Sequence, residues 1–356
     1  MQNKERLSNI ELLRIISMFM IVLSHYNFHG IISNSNIFSQ GSFFNQIILS
    51  GCILGKIGVG LFFSITGFFL CQQKKFVFPK KFFSTILFYS LISLVIVSIC
   101  TLAHVDVGMD AKKMIILIVQ SLFTPVTGGV WWFATAYFAL VLFCTQINRF
   151  MILLNKKGFL LSILCLFVFC NLLGNLGSNL HDLEKAIFYY FIGAYIHLFM
   201  SDKLTKTYIY SGVIAICGLF INAVGWFLCH SSDSIVRAVS YIITQINEPI
   251  VVASLLYFSV NTCIKSNKII NTFASFTFGV YLFHEFPYTR MLLWNVLLNP
   301  SDLYLQKYYF PAMLMSVVLI YVIACFVDWI RLKIFNEKIE RIIRNVTFFL
   351  QRKCLK

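Results

Sequence analysis

Three side chains near the start of the chain, Glu11, Arg14 and His25, are an acid, a guanidinium and an imidazole at helical spacing. Glu11 precedes Arg14 by three residues, within ion-pair reach on a helix. His25 follows Arg14 by eleven residues, which at 3.6 residues per turn is three turns plus about 20°, so the two share a face about 16 Å apart. Such a stripe couples a permanent cation, able to hold an anion, to a ring that titrates near neutral pH and can move a proton. A second polar set, His284, Glu285 and Arg290, surrounds Pro287 in the run FGVYLFHEFPYTRMLLW. Counted from the start of its apolar run, His284 is expected at a depth similar to that of His25. Glu248, followed by Pro249, is a third site, a carboxyl in the middle of an apolar run. Lys74, Lys75, Lys80 and Lys81 crowd one short stretch, and clustered ammonium groups hold phosphates as point charges.

Each set also has a plainer reading. Glu11 and Arg14 suit interfacial snorkelling, and His25 suits a bond to a neighbouring helix. His284, Glu285 and Arg290 suit a self-satisfied polar knot lining no substrate. The four lysines suit the charge bias of a cytoplasmic loop. Asp328 and His197 are expected to snorkel from helix ends, and Lys56 to reach the opposite interface. His25-x3-His29 is a poor metal pair without a nearby Cys or carboxylate, so no metal site is expected.

The elements that carry these residues must lie in lipid. Of 356 residues, 59% are hydrophobic, 38 are Phe and only 12% are charged, with a mean hydropathy of +0.80. A water-soluble domain cannot cover that much apolar surface, whereas about ten membrane helices need it. Soluble, fibrous, disordered and secreted classes are excluded. The pattern predicts an all-α polytopic protein with spans near 10–30, 50–71, 82–103, 130–147, 159–176, 186–200, 207–229, 238–260, 271–296 and 308–330. The first run carries Arg14 and lacks a small-residue cleavage site, so it is read as a span and not as a leader. Residues 111–123 are too few to cross and suit an interfacial or re-entrant helix. Eleven Cys form no CxxC pair and read as small core residues.

The net charge of +15 is explained by where Lys and Arg fall. Twenty-one lie in the connections and tail that alternate with the N-terminus, and five lie in the other loops. That bias predicts cytoplasmic N and C termini and removes any need for a nucleic-acid partner. The chain divides into a membrane domain, 1–335, and a basic amphipathic cytoplasmic tail, 336–356, suited to the anionic inner leaflet.

On four segments in order, the sequence resembles the acyltransferase 3 family of integral membrane acyltransferases, in a form like those of low-GC Gram-positive bacteria. IELLRIISMFMIVLSHY matches the family's acidic-x-x-Arg start and its Arg-x10-His motif at Arg14 and His25. VGLFFSITGFFL resembles the family's second span, with Thr66 where Ser is usual. WWFATAYFALVLF resembles its fourth span at Trp132, Phe133 and Tyr137. FTFGVYLFHEFPYTRMLLW resembles its ninth at Phe278, Gly279, Tyr281, Leu282 and His284. Lys80 and Lys81 stand where the family usually bears Arg, and the family's fused esterase-like domain is not expected here.

The resemblance implies transfer of an acyl group, often acetyl from acetyl-CoA, to a hydroxyl of a carbohydrate or glycolipid across a bacterial plasma membrane. Acyl-CoA would be a substrate, with no further cofactor. On that reading Arg14, Lys74, Lys75, Lys80 and Lys81 hold the acyl-CoA. His25, with Glu11, Arg14 and His284, carries the chemistry, and Arg290, Glu248, Trp132 and Tyr137 contact the acceptor. The competing class is a polysaccharide exporter, flippase or polymerase, which also needs buried polar residues but no acyl-CoA site.

Overall fold

The structure, a computed structural model, describes residues 7–32, 37–76, 78–173, 181–200 and 207–335. The tail expected at 336–356 lies outside them. The described residues form helices and no strand, as lipid demands, because a helix satisfies every backbone polar group within its own segment. In chain order the α-helices are α1 (Ser8–Gly30), α2 (Phe43–Leu49), α3 (Leu54–Leu70), α4 (Lys80–Leu102), α5 (Ala111–Phe123), α6 (Trp132–Ile152) and α7 (Lys156–Val168). There follow α8 (His181–Phe199), α9 (Thr207–Leu228), α10 (Ser234–Asn261), α11 (Lys268–Glu285), α12 (Pro287–Met291), α13 (Pro300–Tyr304) and α14 (Tyr309–Ile330).

The expected spans fall on these helices, with residues 174–176 of the fifth lying outside the described residues, and the segment too short to cross is α5. Among the described residues, seven helical stretches are long and apolar enough to span a membrane. The other three expected spans fall on α7 with a π-helical continuation, on α8, and on α11 with α12, each shorter or more polar than the rest. Helix α8 begins at His181, five residues before its apolar run, so its first turn carries Asp182, Glu184 and Lys185. The expected bend at Pro287 is a break. Phe286 adopts φ −58° and ψ 126°, α11 stops at Glu285, and Pro287 starts α12, where its missing N–H costs nothing.

The chain divides into two compact units. Unit 1 comprises Met1–Phe76, Ala136–Ser275 and Pro300–Val317; unit 2 comprises Val77–Thr135, Phe276–Asn299 and Val318–Lys356. In unit 1, α3 packs against α8 so closely that a Cβ on Gly193 would strike the Ser64 carbonyl, and one on Gly67 would strike that of Tyr190. Small residues are what let two membrane helices approach this far, and the dispersion gained there replaces the hydrophobic drive that lipid removes. Helix α1 runs antiparallel to α3, with Gly55 against Ser24 and Gly58 against Ser17.

Candidate active site

In unit 1 the expected stripe exists on α1. Arg14 donates from Nη1 to Glu11 Oε2 at 2.8 Å. Glu11 is buried and Arg14 half-buried, so neither is a solvated snorkeller. His25 is half-buried on the same helix, its ring 5.2 Å from that of His29. Both ends of the helix are fixed by groups that supply no chemistry. Near its start, Asn9 donates to the carbonyls of Ser259 (2.8 Å) and Thr262 (3.0 Å), and Ser259 returns a bond to Asn9 O at 2.9 Å. Near His25, Ser24 donates to Cys52 O at 2.6 Å, and Asn27 accepts from Tyr309 at 2.6 Å. Rotation of α1 would break these bonds, so the azimuth of Arg14 and His25 is set by their neighbours. Tyr137 on α6 lies within electrostatic range of Arg14.

Glu248 is also in unit 1. It is 4% exposed and accepts a 2.6 Å bond from Tyr189 on α8. Pro249 follows it inside α10 without ending the helix. At the far end of α3, Asn148 donates to the carbonyls of Leu70 (2.6 Å) and Gln73 (3.0 Å) and accepts from Tyr190 at 2.7 Å. That buried amide shapes the turn presenting Lys74 and Lys75, both exposed. Sequence reasoning missed Asn148, because nothing in its own segment distinguishes it from a surface Asn.

Unit 2 holds the rest. His284 is fully buried, and its Nδ1 lies 2.6 Å from Val280 O. A carbonyl only accepts, so Nδ1 carries the proton, and in the neutral ring Nε2 is the basic nitrogen. Arg290 pairs with buried Glu285 at 3.6 Å across the Phe286 break. The helix bearing His284 is braced by Trp131, whose Nε1 donates to Leu282 O at 3.1 Å, and by Tyr281, whose hydroxyl accepts from Phe133 N at 3.2 Å. The fully buried Trp131 therefore supports this site, while the expected Trp132 is half-buried. Lys80 and Lys81 are exposed in the first turn of α4. Two cations beside the positive end of a helix dipole are unfavourable alone and concentrate a field that attracts anions.

One expectation of snorkelling is corrected. Asp328, fully buried, is clamped by Arg331 through Nε (2.7 Å) and Nη2 (3.1 Å) and accepts from Tyr89 at 3.2 Å. Its charge is matched inside the protein, which removes the drive to reach an interface. His197, in unit 1, stacks edge-on against Phe68 at 4.8 Å.

The sequence matches the acyltransferase domain family over residues 7–329, a stretch containing each of these side chains except Arg331. No curated protein and no solved structure matches it. With membrane-length helices and a family match across nearly the whole chain, this protein belongs to the acyltransferase 3 family and is an integral membrane acyltransferase.

Proposed function

We propose that the protein moves an acetyl group from cytoplasmic acetyl-CoA to a hydroxyl of a cell-surface carbohydrate or glycolipid in a bacterial plasma membrane, with both termini cytoplasmic. The observation that carries this reading is the α1 stripe, in which Arg14 is held by Glu11 at 2.8 Å with His25 three turns away. Arg14 keeps most of its five N–H donors for the CoA phosphates, and Lys74, Lys75, Lys80 and Lys81 add positive charge. Trp132 and Tyr137 are assigned to acceptor contacts on the family resemblance.

The reaction is R–OH + CoA–S–CO–CH3 → R–O–CO–CH3 + CoA–SH. His25 takes the hydroxyl proton as the oxygen attacks the thioester carbonyl; the C–S bond breaks, and the proton is returned to the leaving thiolate. Such general base catalysis contributes about 10²–10⁴-fold. His284, basic at Nε2, suits a hydrogen bond from an acceptor hydroxyl, and Arg290, fixed by Glu285, suits stabilisation of developing negative charge.

Acetyl-CoA binding to the detergent-purified chain tests the donor half. Wild type and His25→Ala are expected to bind it alike, and Arg14→Ala about tenfold or more weakly, the loss of a charge-assisted contact. Absence of binding to folded wild type would overturn the reading in favour of a transport protein.

A further inference from the structure

Helices α3 and α8 run parallel in one register: Gly60 lies against Tyr189, Ser64 against Gly193 and Phe68 against His197. One turn earlier on both helices, the same offset sets Lys56 opposite Lys185. Lys56 is exposed and Lys185 half-buried. Neither forms an ion pair or a hydrogen bond among the described residues. A turn deeper lies the buried Glu248, bonded by Tyr189, and Lys185 is within electrostatic range of Glu248, of Asp182 on its own helix and of Lys56. On α9, Asn222 is fully buried, and neither atom of its amide has a partner among the described residues. It lies between Gly218, packed on Asn247 and Val251, and Gly225, packed on Thr244, and so faces the stretch of α10 that holds Glu248.

Two ammonium groups facing one another repel, and no carboxylate stands at ion-pair distance from either among the described residues. Helix packing that costs this repulsion is relieved by an anion between the lysines, and an amide without partners can serve a ligand's polar groups. The place is meaningful, because Gly55 packs on Ser24 and therefore puts Lys56 at the level of His25 along α1.

We propose that Lys56 and Lys185 form a subsite for an anionic group of the acceptor, a carboxylate or phosphate borne by the carbohydrate, with Glu248, Tyr189 and Asn222 beneath it. This rests on the acyltransfer reading above for the nature of the acceptor. The subsite selects acceptors by charge and holds them at the depth of His25.

Calorimetric titration of the detergent-purified full chain with glucuronate, glucose 1-phosphate and glucose tests it. At least one charged sugar is expected to bind about tenfold or more tightly than glucose, and the better of the two identifies carboxylate or phosphate as the group. Lys56→Gln with Lys185→Gln should bring that sugar to the level of glucose, and Lys56→Arg with Lys185→Arg should keep it bound. The exposed Lys56→Gln alone, which carries little folding risk, should weaken charged-sugar binding in the same direction. Equal binding of the three sugars, or undiminished binding by the glutamine variants, would overturn the subsite. Acetyl-CoA turnover, followed in the same preparations, separates the two ideas: charge-selective binding without turnover removes the acyltransfer reading, and turnover without charge selection removes only the subsite.

Discussion

Glu11–Arg14 in unit 1 and Asp328–Arg331 in unit 2 are both acid–arginine pairs three residues apart on a helix. Arg14 reaches Glu11 through one nitrogen, and 27% of its side-chain surface stays accessible. Arg331 grips both oxygens of Asp328, Tyr89 adds a third bond, and the two side chains keep 9% and 0% of their surface. The second pair is closed, so its hydrogen-bonding capacity goes into holding α14 against α4. The first is open, so Glu11 orients a guanidinium that keeps part of its surface accessible, as the proposed donor role requires. Identical spacing thus yields a closed brace in one unit and an open pair in the other, and the number of satisfied donors separates them.

If that contrast is right, substitutions at the two pairs should fail differently. The largest stability effect is expected from Arg331→Ala, which strands a buried carboxylate and should cost about 3–5 kcal/mol, read as loss of folded protein on size-exclusion chromatography. Arg14→Lys keeps the charge beside Glu11 but loses the planar fork. Its melting temperature should stay near that of wild type, and its acetyl-CoA affinity should fall. Tyr89→Phe removes one bond to Asp328 and should cost about 1.5–3 kcal/mol by thermal melting. Gly279→Ala should cost about 1–3 kcal/mol by the same assay, because its Cβ would stand 2.5 Å from Asp328 Oδ1 and 2.6 Å from the Tyr89 hydroxyl. Wild-type stability in Arg331→Ala, or collapse of Arg14→Lys, would remove the distinction.

Much of this was legible in the sequence because it is local. Apolar runs long enough for lipid became helices, and the thirteen residues too short to cross became α5. The pairing of Glu11 with Arg14, and the shared helix of Arg14 and His25, follow from 3.6 residues per turn. What stayed illegible depends on distant partners. Asp328 looked like a snorkelling residue because Tyr89 lies 239 positions away in the chain. Trp131 and Trp132 are adjacent and chemically alike, and only packing decides that the first braces the His284 helix. Lys56 and Lys185 lie on two helices with unrelated sequence context, and their opposition appears only once the α3–α8 register is known. Pro287 announced an irregularity, but a kink and a break look the same until Phe286 is seen in an extended conformation.

The central claim is that His25 performs proton transfer in acyl transfer. The most direct measurement follows labelled acetyl from acetyl-CoA into the glycan fraction of membranes bearing wild type or His25→Ala at equal, folded levels. Transfer by the variant is expected to drop about 10²–10⁴-fold while it still binds acetyl-CoA like wild type. Equal labelling by the two proteins would contradict the account.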